Sequence, residues 1–209
     1  FLRVPIRKKD DYLRRLTHIE DFHGLIFFNQ LTELGVMEEK LLYRGVPVGS
    51  LASDQNKLLR KAALEQFKKK MVRALLTTDV AARGLDITGL PYVVNAEVPL
   101  SEEAYLHRSG RTGRMGNEGI VITLVQDNNL RDLKRLLRPS NITLEEIFLY
   151  GGKLQTEQPT KEDAAPAVNK KYAKTFSRKE QNPEYNKEKI RKKVKNKSKK
   201  ERNKGARRK

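Results

Sequence analysis

Residues 72–94 read VRALLTTDVAARGLDITGLPYVV, and this stretch decides the fold. An apolar run at 72–76 is followed by a polar segment with two glycines, and a second apolar run follows at 92–94. Short apolar runs bounded by polar residues are typical of buried strands. The stretch therefore predicts two strands joined by a segment that carries polar groups.

Four further apolar runs of strand length flank this stretch. They are LIFF at 25–28, VPV at 46–48, IVITLV at 120–125 and IFLY at 147–150. Between the runs, apolar residues fall at helical spacing in three sets: Leu34, Met37 and Leu41; Leu59, Ala63 and Phe67; and Leu130, Leu133 and Leu137. Alternating strands and helices predict an α/β domain whose mostly parallel sheet has helices on both faces. Because ligands bind at the carboxyl ends of such strands, we expect the chemistry in the segments that follow them.

Charge and hydropathy divide the chain at residue 150. The 209 residues carry a net charge of +18, of which residues 1–150 contribute +4 and residues 151–209 contribute +14. Apolar residues number 66 of the first 150 but only 12 of the last 59. The first part buries a core, whereas the second cannot offset the entropy of ordering. We expect one domain at 1–150 and a disordered polybasic tail at 151–209.

Composition excludes several classes of protein. The chain has no cysteine, which excludes disulfides, thiol nucleophiles and Cys-based metal sites, and favours a reducing compartment such as the cytoplasm. No apolar run approaches the roughly 18 residues of a membrane span, so we expect no membrane association. The chain begins at Phe1 without the features of a signal peptide, and we expect it to be a fragment that lacks an amino-terminal part.

Four basic side chains are concentrated in AYLHRSGRTGR at 104–114, namely His107, Arg108, Arg111 and Arg114. On a helix the three arginines recur every three residues, so at least two guanidinium groups would project toward a common target. Guanidinium groups bind phosphate oxygens bidentately, and an arginine aimed at a γ-phosphoryl group is the usual finger of an NTPase. The simpler alternative is a solvated basic helix face.

Three segments together resemble a known family. LIFFNQ at 25–30, TTDVAARGLDI at 77–87 and HRSGRTGR at 107–114 are similar, in this order, to motifs of the carboxyl-terminal RecA-like domain of DEAD-box ATP-dependent RNA helicases. The resemblance covers residues 1–150, and HRSGRTGR is its most specific part. It implies a single RecA-like domain that forms the second half of an enzyme that unwinds or remodels short RNA duplexes. The short spacer before the tail is similar to that of compact bacterial members.

The resemblance also implies roles for individual residues on the nucleotide side. Arg111 and Arg114 would be arginine fingers for an ATP held mainly by the other RecA-like domain. Gly84 and Asp86 match positions that meet the ribose and phosphates of ATP. His107 and Arg108 would bond across the cleft to the first domain, and Phe27 would brace the arginine-bearing segment.

A second set of positions matches residues at the RNA backbone or, for Thr78, Asp79 and Arg83, residues that tie it to the nucleotide site. The set consists of Thr78, Asp79, Arg83, Arg60, Lys57 and Gln30. Lys57 departs from the family, which usually has Gln there, and Gln30 stands where the family has Thr or Ser. Two simpler interpretations stay open: Asp79 and Asp86 cap short helices, and Phe27 is a core aromatic.

Two motifs are absent from the sequence. It contains no GxxxxGK[ST] loop and no Asp-Glu-Ala-Asp run. The phosphate cradle and the carboxylates for Mg²⁺ would therefore come from the missing first domain, and we expect this chain alone not to hydrolyse ATP. His18 and His23 have no metal-ligand partner at useful spacing, so we expect no metal site here.

The last 23 residues, 187–209, contain 14 basic and 2 acidic residues. Such a run binds phosphates by counterion release, and it is also typical of a nuclear or nucleolar address. We favour RNA tethering in the cytoplasm, with ribosomal RNA or ribosome precursors as candidate partners. The alternative function from another class is a non-catalytic RNA-binding or scaffold protein that retains one RecA-like lobe.

Overall fold

A parallel sheet of six strands organises the described part of the chain, which in this computed structural model comprises residues 1–51, 57–113 and 118–159. The strand order is β1-β6-β5-β2-β4-β3, and every neighbouring pair is parallel. The strands are β1 (Leu2–Arg3), β2 (Gly24–Phe28), β3 (Val48–Ser50), β4 (Ala74–Thr78), β5 (Tyr92–Asn95) and β6 (Ile120–Val125). The predicted α/β fold with a mostly parallel sheet is confirmed.

Helices connect the strands. After one 3-10 turn at Ile6–Lys8, they are α1 (Lys9–Thr17), α2 (Leu31–Tyr43), α3 (Lys57–Lys68), α4 (Asp79–Ala82), α5 (Glu102–Ser109) and α6 (Leu130–Leu137). The three helices expected from apolar spacing are α2, α3 and α6. Helix α1 was not predicted from the sequence.

Both faces of the sheet are buried, which explains why its strands are continuous apolar runs rather than alternating ones. Ile26 of β2 packs in one core with Leu13 of α1 and Leu34 of α2. Leu25, its neighbour on the strand, packs in a second core with Phe67 of α3. Successive side chains of a strand point to opposite faces, so these two cores lie on opposite sides of the sheet.

The strand predicted at 46–48 and the apolar face predicted for α3 differ from the structure. The strand expected at 46–48 begins only at Val48, because Pro47 has no N–H to donate to a neighbouring strand. In α3, Leu59 was expected on the apolar face but is 61% exposed, whereas Phe67 is buried as expected.

The run at 147–150 does not join the sheet as a further full strand. Phe148–Tyr150 (β7) pairs antiparallel with Lys153–Gln155 (β8) in a hairpin. Its two turn residues, Gly151 and Gly152, have φ angles of 60° and 76°, which favour glycine. The predicted domain boundary at residue 150 falls inside this hairpin, and the expected disorder of the tail concerns residues that lie, from 160 onward, outside the described part.

Strand β1 joins the two ends of the described fold. Leu2 pairs with Leu124 of β6 and also forms a bridge with Ile147, whose N–H donates to the carbonyl of Phe1 at 2.8 Å. Residues 1–2 therefore lie between the last strand of the sheet and the segment that leads into the hairpin.

His23 precedes β2 and stacks on Phe67, with ring centroids 4.0 Å apart and an interplanar angle of 14°. Burial lowers the pKa of His23, and the positive charge of Lys70 lowers it further. The neutral form of this imidazole is therefore favoured in the folded protein.

Candidate functional site

Helix α5 presents one basic side chain to the interior of the domain. Ser101 caps the helix by accepting a hydrogen bond from the N–H of Ala104 at 3.1 Å, and two glutamates occupy the first turn, where the helix dipole favours negative charge. Tyr105 and Arg108 point inward from the helix. The Arg108 side chain is 0% exposed, so it lies among the carboxyl ends of the central strands rather than in solvent.

The Arg108 guanidinium bonds residues at the carboxyl ends of three different strands. Its Nε and Nη2 donate to the two oxygens of Asp79 at 2.8 and 2.6 Å. Nη2 also donates to Oδ1 of Asn29 at 2.9 Å, and Nη1 donates to Oδ1 of Asn95 at 3.2 Å. We call Arg108, Asp79, Asn29 and Asn95 the Arg108 network. The network connects the residues that follow β2 and β4 with the last residue of β5.

Each asparagine of the network extends it to a further segment. Asn95, which is fully buried, donates from Nδ2 to Oγ1 of Thr123 on β6 at 3.1 Å. The backbone N–H of Asn29 donates to Glu97 at 3.0 Å, and Glu97 is ion-paired with Lys9 of α1 at 3.0 Å. The network therefore reaches β6 and α1.

Sequence reasoning missed Asn29 and Asn95. Each is a polar residue at the end of an apolar strand run, which is the only signal that the sequence offers. A buried amide needs a hydrogen-bond partner, so a polar residue directly after such a run is a reasonable place to expect a network.

Phe27 lies beneath the network. It is 1% exposed, and the Cζ atom of Arg108 stands 5.3 Å from its ring centroid, within the range of a cation–π contact. Phe27 is thus both a core aromatic and a direct contact of the arginine-bearing helix.

The prediction that one helix carries both Arg108 and Arg111 is wrong. Helix α5 ends at Ser109 because Gly110 follows it with a ψ angle of 0°, which leaves the helical conformation. The Arg108 guanidinium bonds within this domain, and the bonds across the cleft to a first domain stay a prediction. Arg114 lies outside the described residues.

Arg111 has other partners than Arg108. Its Nη1 donates to the carbonyl of Leu85 at 2.6 Å and its Nη2 to that of Ala82 at 3.3 Å. The two carbonyls flank Gly84, so Arg111 is held against the segment that was predicted to meet ATP. His107, by contrast, is exposed and stands 3.9 Å from Glu103.

The segment at 83–86 faces solvent. Arg83, Gly84 and Asp86 are exposed. Gly84 has a φ angle of 72°, and a Cβ added there would meet no heavy atom within 4 Å. The backbone at Gly84 is therefore open to close approach, which fits a nucleotide beside Arg111.

Thr78 and Asp79 begin α4. The Thr78 hydroxyl accepts a hydrogen bond from the N–H of Ala81 at 3.3 Å, so Thr78 is the helix cap. Asp79 is instead ion-paired with Arg108. The simple capping role considered for Asp79 is therefore taken by its neighbour.

Two other predicted RNA-side residues are separately placed. Arg60 of α3 donates to the carbonyl of Ala81, which ties α3 to α4. Gln30 is exposed, and with Asn29 it lines a depression of about 390 Å³ that Glu97 and Lys9 also border. Lys57 is the first residue of α3, and its side chain lies outside the described part.

Two kinds of feature are not found among residues 1–51, 57–113 and 118–159. No group of three or more His, Asp or Glu side chains is placed to hold a metal ion. No helix in those ranges is long and apolar enough to cross a membrane.

A family model for the helicase conserved C-terminal domain matches residues 8–116. Among curated proteins, the probable ATP-dependent RNA helicase YfmL of Bacillus subtilis is 41% identical over 157 residues, which are 75% of this chain and 42% of that protein. The DEAD-box ATP-dependent RNA helicase CshC of Bacillus cereus is 36% identical over 73% of this chain and 39% of its own length. The chain spans about two fifths of the length of these relatives.

Solved structures of similar fold come from the same kind of protein. The C-terminal domain of the DEAD-box protein Dbp5 has a TM-score of 0.62 at 27% identity, over 70% of this chain and 87% of that one. The E. coli DEAD-box protein SrmB, bound to regulator of ribonuclease activity A, has a TM-score of 0.64 at 25% identity, over 76% of this chain and 95% of that one.

Proposed function

This chain belongs to the helicase conserved C-terminal domain family of DEAD-box ATP-dependent RNA helicases, and from that premise we propose that it forms the second RecA-like domain of an enzyme that unwinds or remodels short RNA duplexes. The relatives are longer than this chain, so the activity of the whole protein is part of the proposal. The observation that carries the proposal is the Arg108 network, because it joins the three resembling segments at one edge of the sheet.

On the nucleotide side, Arg111 would stabilise the charge that develops on the transferring phosphoryl group. Its two hydrogen bonds to backbone carbonyls support this role, since they fix the guanidinium beside the open backbone at Gly84. Arg114 is proposed as a second finger. Gly84 and Asp86 would contact the ATP, and a preceding domain would supply the phosphate cradle and the Mg²⁺ ligands.

On the RNA side, Thr78, Arg83, Arg60, Lys57 and Gln30 are proposed to lie along the RNA backbone. Because the Asp79 carboxylate is engaged by Arg108, we assign Asp79 to the link between this side and the nucleotide side. RNA that displaces the segment at 78–79 would thereby move Arg108 and the helix that precedes Arg111.

Closure onto the first domain is proposed to use His107, whose side chain is exposed. Arg108 and Phe27 would instead keep α5 in position within this domain. Closure brings ATP and RNA together, and the enzyme would grip one strand by phosphates and 2′-hydroxyls rather than by base edges.

The tail is proposed as an RNA tether. Its charge supports nonspecific attachment to RNA by counterion release. A cytoplasmic enzyme that acts on ribosomal RNA or ribosome precursors would use such a tether to stay near its substrate.

Steady-state ATP turnover of the longer protein that contains this chain tests the proposal. Arg111→Ala and Arg114→Ala should each lower RNA-stimulated turnover by about 10³-fold or more, the low end of an arginine-finger effect. RNA affinity without nucleotide should change little. Lys153→Ala, which removes an exposed cation of the hairpin, is the matched control and should leave turnover unchanged.

Near-normal turnover in both arginine variants would refute the finger assignment. If the unaltered protein binds RNA but shows no ATP turnover, the scaffold alternative holds instead.

A further inference from the structure

The outer side of α6 carries a row of basic side chains. Arg131, Lys134 and Arg138 are exposed, and their spacing of three and seven residues places them on one side of the helix. Arg135 lies beside the row, but it is ion-paired with Asp132 at 2.9 Å. We call Arg131, Lys134 and Arg138 the α6 row.

The charges of the α6 row are not neutralised by neighbouring carboxylates. Some exposed arginines of the fold are paired: Arg3 bonds Asp127 and Glu146, and Arg44 bonds two aspartates of α1. For the α6 row, no ion pair is found within residues 1–51, 57–113 and 118–159. Three adjacent like charges repel one another, so an anionic polymer that neutralises them is favoured.

The α6 row begins at the edge of the sheet where the Arg108 network lies. Helix α6 starts five residues after the carboxyl end of β6, the strand to which Asn95 of the network is bonded. A second exposed basic group, residues 68–70, begins at the last residue of α3 and precedes β4. It lies at the amino ends of the strands, since the N–H of Gly24, the first residue of β2, bonds Arg73 at 3.0 Å. The start of the α6 row and residues 68–70 therefore lie at opposite edges of the sheet.

A basic helix with an apolar side is also typical of proteins that bind membrane surfaces. In α6, however, the apolar side is committed to the core, since Leu133 is 0% and Leu137 is 1% exposed. No apolar side is left for insertion among lipids. The α6 row therefore matches the phosphates of a nucleic acid better than it matches a membrane surface.

We propose that the α6 row is a second contact for the RNA backbone, outside the residues that the family resemblance places at the RNA. The proposal rests on the proposed function in taking RNA as the anion. Arg138 directly follows the last residue of α6 and keeps the helical conformation, so it lies seven positions from Arg131, a rise of about 10 Å, which spans about three phosphates of a strand. The row would hold RNA that extends beyond the clamp between the two domains.

The test is the salt dependence of RNA binding by the full chain without nucleotide. Fluorescence anisotropy of a labelled 20-nucleotide single strand is recorded at four salt concentrations. The variant R131Q/K134Q/R138Q should flatten the slope of log K against log salt by about 2 units, because each lost phosphate contact contributes about 0.7. Affinity at 50 mM salt should fall about a hundredfold.

Two matched variants control the result. K68Q/K69Q/K70Q removes the same number of charges at the opposite edge and should leave the slope within about 0.5 of the unaltered chain. R131K/R138K keeps the charge and should bind RNA normally. Thermal melts should be unchanged in every variant, because all the altered side chains are exposed.

An unchanged slope in R131Q/K134Q/R138Q would overturn the proposal, as would an equal loss in K68Q/K69Q/K70Q. Binding to phosphatidylglycerol vesicles that depends on the row, with RNA binding intact, would also overturn it and assign the row to a membrane surface. No nucleotide is present, so the outcome is separate from whether Arg111 supports ATP turnover.

Discussion

The guanidinium of Arg108 and the carboxylate of Asp79 form a bidentate ion pair, with N–O distances of 2.8 and 2.6 Å, in which the arginine side chain is 0% exposed. The pair joins α5 to the start of α4, and these two elements flank the segment against which Arg111 is held. Removing the guanidinium leaves a carboxylate and two amide oxygens without their donor, and the cost of unmade bonds exceeds the net gain from made ones.

We expect Arg108→Met to lower the free energy of unfolding by about 2 kcal/mol, because Asn95 loses its donor in the core while Asp79, whose side chain is 37% exposed, is partly compensated by water. Urea denaturation of the chain, monitored by circular dichroism, measures this change in the free energy of unfolding. His107→Ala, one residue away but exposed, should change the free energy by less than about 0.5 kcal/mol. A loss below about 1 kcal/mol in Arg108→Met would show that the network contributes little to stability.

The chain by itself should bind ATP no more tightly than about 1 mM, since its ATP-side groups are a few exposed positions around Gly84 without a phosphate-cradling loop. Isothermal titration calorimetry of the chain measures the affinity. Binding in the micromolar range would contradict this expectation and indicate a complete nucleotide site within the chain.

Deleting residues 187–209 should flatten the slope of log K against log salt by about 4 units, if roughly half of the net +12 charge contacts phosphates of a single strand. RNA affinity at low salt should fall at least about a hundredfold, equally for different RNA sequences. A variant of full length whose 14 basic residues in this range are replaced by Gln should match the deletion. If the slope is unchanged, the tail serves a protein partner or an address.

Stability should fall in acid through His23. Its pKa is lowered in the folded protein, whereas the unfolded chain titrates near the ordinary value of 6.5, so below about pH 6.5 the unfolded chain binds more protons. The stability that the neutral His23 ring contributes is therefore fully present above this pH. It is lost as the pH falls toward the folded pKa, by at most about 1.4 kcal/mol per pH unit.

His23→Phe keeps an aromatic ring against Phe67 and removes the titration. The free energies of unfolding of the two proteins should run parallel above about pH 7.5 and diverge below about pH 6.5, with the wild type losing more. Parallel profiles down to pH 5 would rule out His23 as the source of acid sensitivity.

The sheet was predictable because both of its faces are buried. The run 25–28 is apolar throughout and 120–125 is apolar except for Thr123, and only a strand covered on both sides needs that pattern. The hairpin at 148–155 was missed because β8 is half-buried and its sequence, KLQ, has no apolar run. The two glycines at its turn were the available signal.

The site was predictable by residue type but not by arrangement. Asn29, Asp79 and Asn95 lie 79, 29 and 13 residues from Arg108 along the chain, and only the alignment of parallel strands brings them together. No local pattern distinguishes an arginine that bonds four carbonyl or carboxylate oxygens inside a domain from one that reaches outward. Gly110 marks the end of α5 in the sequence. Because Arg111 follows this glycine, it lies outside the helix that carries Arg108.

The pairing of residues 1–2 with Leu124 and Ile147 has a mechanical consequence. A pulling force applied through residues 1 and 155 would load the few hydrogen bonds of β1 and the hairpin before any bond between β2, β4 and β5. Extension would therefore begin with the separation of β1 and the hairpin from the edge of the sheet. The strands that carry the Arg108 network would bear no load until β1 and the hairpin had separated.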